Sequence, residues 1–114
     1  MAKERVFIGS DFAGLNFYNL DGTPMTSAPY VTLHSVATGE YFVADVVQPN
    51  EDGATYDAAF TAAVTSRMDP VLYNIEVYSD STMASLLYYE AEYAIGTIVS
   101  PTPGQVNDSA EVLL

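Results

Sequence analysis

The sequence predicts an all-β domain built of two packed layers, and three observations carry that prediction. Apolar and polar residues alternate in short runs, as in Tyr73, Ile75 and Val77 against Asn74, Glu76 and Tyr78. Turn signals such as Asp-Gly and Asp-Pro separate the runs at the spacing of roughly 8–12 residues typical of sandwiches and barrels. Hydrophobic residues make up 49% of the 114 residues, with nine Tyr and five Phe, which is more apolar and aromatic material than a disordered chain carries. A chain of this length forms one domain and buries roughly two-thirds of the surface its unfolded form exposes.

The elements follow in order. ERVFIG at 4 to 9 and GLNFYNL at 14 to 20 are β-branched or alternating runs and predict strands. DGTPMTSAP at 21 to 29 is rich in turn formers and predicts a loop. YVTLHSV at 30 to 36 and EYFVADVV at 40 to 47 flank Ala37, Thr38 and Gly39, which predicts a hairpin. QPNEDG at 48 to 53 predicts a polar turn. In ATYDAAFTAAVTSRMD, alternation of Tyr56, Ala58, Phe60, Ala62 and Val64 favours a strand over 54 to 62, while its alanines leave room for a helical turn over 62 to 68. YNIEVYS at 73 to 79, MASLLYYEAEY at 83 to 93 and AIGTIVS at 94 to 100 complete seven or eight short strands. The segment from 101 to 114 has prolines, a glycine and no alternation, so the expected division is a sandwich over 1 to 100 and a C-terminal tail over 101 to 114.

Tyr73 narrows the class. Asp69-Pro70 just before it sets a corner, because proline fixes its own φ and biases the preceding residue away from the helical region. In immunoglobulin-like sandwiches a tyrosine placed at the crossover between the two sheets turns its hydroxyl back to a backbone group a few residues upstream. Tyr73 stands where that device belongs, with Met68 or Leu72 expected to cap the core. The expected fold is therefore an immunoglobulin-like β-sandwich.

The order of turns and strands also resembles the small immunoglobulin-like domains of tailed-bacteriophage virion proteins, found in capsid decoration or auxiliary proteins, head fibres and the N-termini of baseplate proteins. The pieces are Asp21-Gly22-Thr23-Pro24, then Asp52-Gly53 through Tyr56, Phe60 and Thr61, then Thr65 with Met68-Asp69-Pro70, then 73 to 78, and finally Gly96-Thr97-Ile98-Val99, covering about residues 5 to 100. The chain departs from the pattern in having Val71-Leu72 after the corner proline where such domains often carry glycine. The resemblance implies a structural virion protein, assembled in the host cytoplasm and bound to the outer capsid surface. Its partner would be the major capsid protein or another virion protein, with room for a homo-oligomer on the particle. A tail, baseplate or head-fibre adaptor is the competing role. A carbohydrate-binding sandwich or a small hydrolase of similar shape is the competing class.

Chemistry finds little footing. Fifteen acidic residues against Lys3, Arg5 and Arg67 give a net charge of −12, which repels nucleic-acid phosphates and anionic membranes. The absence of cysteine excludes disulfides, thiolate nucleophiles and thiolate metal sites. MAKERV is not followed by an apolar core of a secretion signal, and no uncharged apolar run approaches membrane-spanning length. The single histidine, His34, has no second His or Cys with which to hold a transition metal, and is expected to be structural or solvated. Glu90 and Glu92 would share one strand face, yet a solvated edge explains them without catalysis. Asn50, Glu51 and Asp52, or Asp80 near Asp69, offer hard oxygen ligands but not the spacing of a calcium loop. No glycine-rich phosphate motif is present. The expectation is a protein without enzymatic activity, metal or cofactor.

The candidate interface is LLYYEAEY at 86 to 93. On a regular strand alternate residues point to opposite sides, so either Leu86 with Tyr88, or Leu87 with Tyr89 and Tyr93, must face outward or meet a partner. Tyrosine suits such a place, since its rigid ring is large and its hydroxyl finds a polar partner.

Overall fold

The computed structural model describes residues 2–98. Its strands are β1 (Glu4–Phe7), β2 (Phe12–Phe17), β3 (Tyr30–Ser35), β4 (Tyr41–Val43), β5 (Val46–Pro49), β6 (Tyr56–Phe60), β7 (Leu72–Tyr78) and β8 (Leu86–Thr97), with one short helix, α1 (Ala62–Thr65), between β6 and β7. They form a five-stranded sheet in the order β1-β8-β7-β3-β4 and a three-stranded sheet in the order β2-β6-β5. That is the immunoglobulin arrangement, with the second, fifth and fourth strands of the motif in one layer and the third, sixth and seventh in the other. The residues between 99 and 114, including the expected tail, lie outside the described part.

Alternation explains the core. On β3, Val31, Leu33 and Ser35 point inward, and on β7 the inward set is Tyr73, Ile75 and Val77. Across the sandwich they meet Phe12 of β2 and Ala58 and Phe60 of β6. Aromatic rings also pair within each layer: Phe42 and Tyr73 of the five-stranded sheet stand T-shaped with centroids 5.8 Å apart, and Phe12 and Phe60 of the three-stranded sheet are tilted at 6.2 Å.

α1 occupies the helical turn expected over 62 to 68 and ends the strand at Phe60, short of the expected 62. Carboxylates from two other loops hold its start. Asp11 accepts the Ala62 N–H at 2.8 Å, and Asp45 accepts the Thr61 N–H at 2.9 Å together with the Thr61 hydroxyl. Those bonds, the side-chain one foremost, hold the Asp45 carboxyl below its ordinary range. Behind the helix the Thr65 hydroxyl donates to the Ser10 carbonyl at 2.7 Å, tying the β6–β7 crossover to the β1–β2 turn.

Two expectations about strand boundaries change. EYFVADVV is not one strand, because the chain leaves one sheet for the other at Ala44 and Asp45. Ala44 is buried and its N–H bonds the Val31 carbonyl at 2.9 Å, while Asp45 reaches across to Thr61, so β5 continues in the opposite layer and takes in Gln48 and Pro49 of the expected turn. Conversely, 83 to 93 and 94 to 100 are not two strands. Their described part forms the single β8 from Leu86 to Thr97, kept continuous through an irregularity in which Tyr73 faces Ala94 but Ile75 faces Glu90. Glu92 sits there with φ of 50°, and its N–H is taken by the Asn74 side chain at 2.8 Å.

Candidate functional site

Among the described residues, the first half of β8 carries the largest run of exposed apolar residues. Leu86, Leu87, Tyr88 and Tyr89 are each 45 to 53% exposed, although they follow one another on a strand whose inner face should be covered. Period-two alternation holds from Tyr88 to Glu90 but slips between Leu86 and Tyr88, so neither expected set faces outward as a unit. A register shift opposite Val77 and Tyr78 is the cause: Tyr88 pairs with Val77, but Leu86 rather than Leu87 pairs with Tyr78. The candidate interface residues are consequently divided between two surfaces, Leu87, Tyr88 and Tyr93 on one and Leu86 and Tyr89 on the other.

Tyr88 and Tyr93 line a groove between the two sheets. Leu15 and Phe17 of β2 form one wall, Ile75 and Val77 of β7 the floor, and the volume is about 620 Å³. Leu15, Phe17 and Tyr93 are half-buried against the core, so the groove is an open continuation of it. The Tyr88 hydroxyl donates to Glu90 at 2.6 Å, and Lys3 lies 3.8 Å from the same carboxylate and 6.0 Å from the centre of the Tyr93 ring. Burial, reinforced by the negative charges of Glu4 and Glu90, pushes the Tyr93 phenol up to about 12.

Tyr89 and Leu86 belong to the other surface, the outer face of the five-stranded sheet. Tyr89 stands across from Glu76 and Leu86 across from Tyr78. Glu76, almost wholly buried, is the hub of this face. Its carboxylate accepts the Tyr78 hydroxyl, contacts His34 Nδ1 at 2.7 Å and accepts the Tyr41 hydroxyl at 3.3 Å. The His34 ring stacks on Tyr41 with centroids 3.9 Å apart and planes 10° from parallel. Burial alone would raise the Glu76 pKa, but the bonds from Tyr78, His34 and Tyr41 outweigh it and hold the carboxyl below its ordinary value. The same contact raises the Tyr78 phenol well above the tyrosine range.

The other expected residues have structural surroundings. Tyr73 is fully buried and its hydroxyl meets the backbone of Asp69. His34 is engaged with Glu76 and Tyr41 rather than free on the surface. The acidic turn residues close their own turns: Asp52 accepts the N–H of Ala54 at 2.8 Å and the Thr55 hydroxyl at 2.9 Å, and Asp80 accepts the Thr82 N–H at 3.0 Å. Among the described residues no group of three His, Cys, Asp or Glu is arranged to hold a metal ion, and no helix is long and apolar enough to cross a membrane.

Sequence reasoning missed the Glu76 hub and the groove wall at Leu15 and Phe17. A signal for the first existed, since Glu76 alternates into the outward set of the clearest strand in the chain between two tyrosine-bearing neighbours in space. The pairing of β7 with β3 and β8 was needed to see those neighbours. Comparison with protein-family models, curated proteins and solved structures finds no match to this chain.

Proposed function

We propose that this domain is a non-enzymatic structural component of a tailed-phage virion that binds the outer capsid surface through the tyrosine-rich first half of β8. The observation that supports a docking role is the run of four consecutive half-exposed apolar residues, Leu86 to Tyr89. Covering them on a partner is worth roughly 1 kcal/mol each, since full burial of such side chains is worth about 1.5–3 kcal/mol. The net charge of −12 selects a neutral or basic partner surface. The virion setting rests on the resemblance in the order of turns, the Asp69-Pro70 corner and Tyr73.

Sedimentation with empty capsids tests this reading. The purified chain should pellet with capsids of a matching phage and raise their melting temperature, and Leu86→Ser with Tyr89→Ser should abolish both effects without lowering the domain's own melting temperature. Binding to defined glycans in an array with no pelleting on any virion fraction would replace it with the carbohydrate-binding role. Pelleting with tails but not with capsids would move the site of action to the tail or baseplate.

A further inference from the structure

The groove beside β8 has the features of a site that receives a strand. Sheet order leaves β2 at the edge of its layer. In the other layer β1 covers only the end of β8, pairing Glu4 with Ala94 through to Phe7 with Thr97, and the last bond before that pairing joins the Lys3 N–H to the Tyr93 carbonyl at 3.0 Å. Residues 86 to 91 therefore present, among the described residues, a backbone edge with no strand beside it on the side away from β7. Edges of this kind template the pairing of another segment.

Side chains add direction to that edge. Leu15, Phe17, Tyr88 and Tyr93 make an apolar trough of about 620 Å³, within the range of ligand-holding sites. Its rim is acidic: Asp21 lines it and Glu90 stands at its side, while Lys3, the one basic residue lining it, lies beside Glu90 at 3.8 Å. A second copy of this chain, also carrying a net charge of −12, would be repelled from that rim.

We infer that the groove takes an extended segment of a protein partner as an added strand on the free edge of β8, with apolar side chains at alternate positions filling the trough and Lys or Arg between them facing Asp21 and Glu90. Main-chain bonds to residues 86 to 91 supply affinity and the trough supplies register, as in other cases of strand addition. The inference rests on the proposed protein-docking role and adds a contact on the groove side of β8 to the outer-face contact at Leu86 and Tyr89.

A short capped peptide of alternating valine and lysine is the probe, titrated into the full chain and followed by amide hydrogen exchange and chemical-shift mapping. The same residues arranged as a valine block and a lysine block, and an alternating valine and glutamate peptide, are the controls. Only the alternating valine–lysine peptide should bind, slowing exchange at the amides of 86 to 91 that face away from β7 and shifting Leu15 and Phe17. Leu15→Lys and Tyr88→Ser should each weaken it by at least about tenfold, equivalent to 1.4 kcal/mol, and Tyr41→Ser on the outer face should not. If Leu15→Lys fails to fold, Tyr88→Ser decides. Equal binding of the glutamate peptide, shifts confined to the face around Glu76, or slow exchange, before any peptide is added, at the amides of 86 to 91 that face away from β7 would each overturn the inference. A chain that pellets with capsids but ignores the peptide leaves the virion role standing and removes strand addition, whereas peptide binding without pelleting on any virion fraction does the reverse.

Discussion

The Tyr73 hydroxyl engages both backbone groups of Asp69, accepting its N–H at 2.8 Å and donating to its carbonyl at 3.2 Å. One side chain on β7 thus pins the turn that leads into β7, and with it the crossover between the sheets.

Tyr73→Phe keeps the ring in the core and deprives the Asp69 N–H of its partner. A part-buried donor left unsatisfied costs about 1–2 kcal/mol. Urea unfolding should show that loss as a lower midpoint at unchanged slope, and an unchanged midpoint would disprove the role of the bond.

Gly96 packs against the same corner from β8. A Cβ there would lie 2.0 Å from the Asp69 carbonyl oxygen and 3.3 Å from the Pro70 Cα, and the opposing atoms are backbone. Gly96→Ala should cost about 1–3 kcal/mol or more, as overpacking does. Because both changes act on Asp69, the double variant with Tyr73→Phe should lose less than the sum of the two.

Acid stability should depend on Glu76. Its folded-state pKa lies below the ordinary value of 4.5, so its stabilising contribution is complete above that value and is lost as pH falls through the folded pKa. Glu76→Gln should flatten the acid limb of a melting-temperature profile below about pH 4.5. An unaltered acid limb would show that the bonds from Tyr78, His34 and Tyr41 contribute nothing to the titration.

The alkaline limb should depend on Tyr93. Its phenol is held neutral by burial first and by Glu4 and Glu90 next, with the pKa pushed up to about 12 from the ordinary 10.0. A raised folded-state pKa gives stability that is complete below 10.0 and is lost as pH rises toward about 12. Tyr93→Phe should make melting less sensitive to pH in that window. Tyr73 and Tyr78, whose phenols are also raised, should retain part of the slope.

Legibility in the sequence followed how local each signal is. The alternation of Tyr73, Ile75 and Val77 states which face of β7 is buried, because it needs only the two-residue period of a strand. The Asp69-Pro70-x-x-Tyr73 spacing likewise marks a corner, since donor, turn and hydroxyl lie within five consecutive positions. The segment from 86 to 93 failed the same treatment. Its faces depend on bulges opposite Tyr78 and Asn74, and a bulge exists only relative to a partner strand. The break at Ala44 and Asp45 was hidden for the same reason, as the bond that Asp45 accepts there comes from the Thr61 N–H, sixteen positions away.

The sequence alone determined an acidic all-β chain, the alternating faces of β7 and the corner at Asp69-Pro70, and it left room for the helical turn after Phe60. Those follow from backbone preference and burial period, which act over a few neighbouring residues. Only the tertiary structure decided that Glu76 gathers His34, Tyr41 and Tyr78, that β1 covers only one end of β8, and that Leu15 and Phe17 face Tyr88 and Tyr93 across an open groove. Each of these joins residues from strands far apart in the chain, and sheet pairing, not local preference, brings them together.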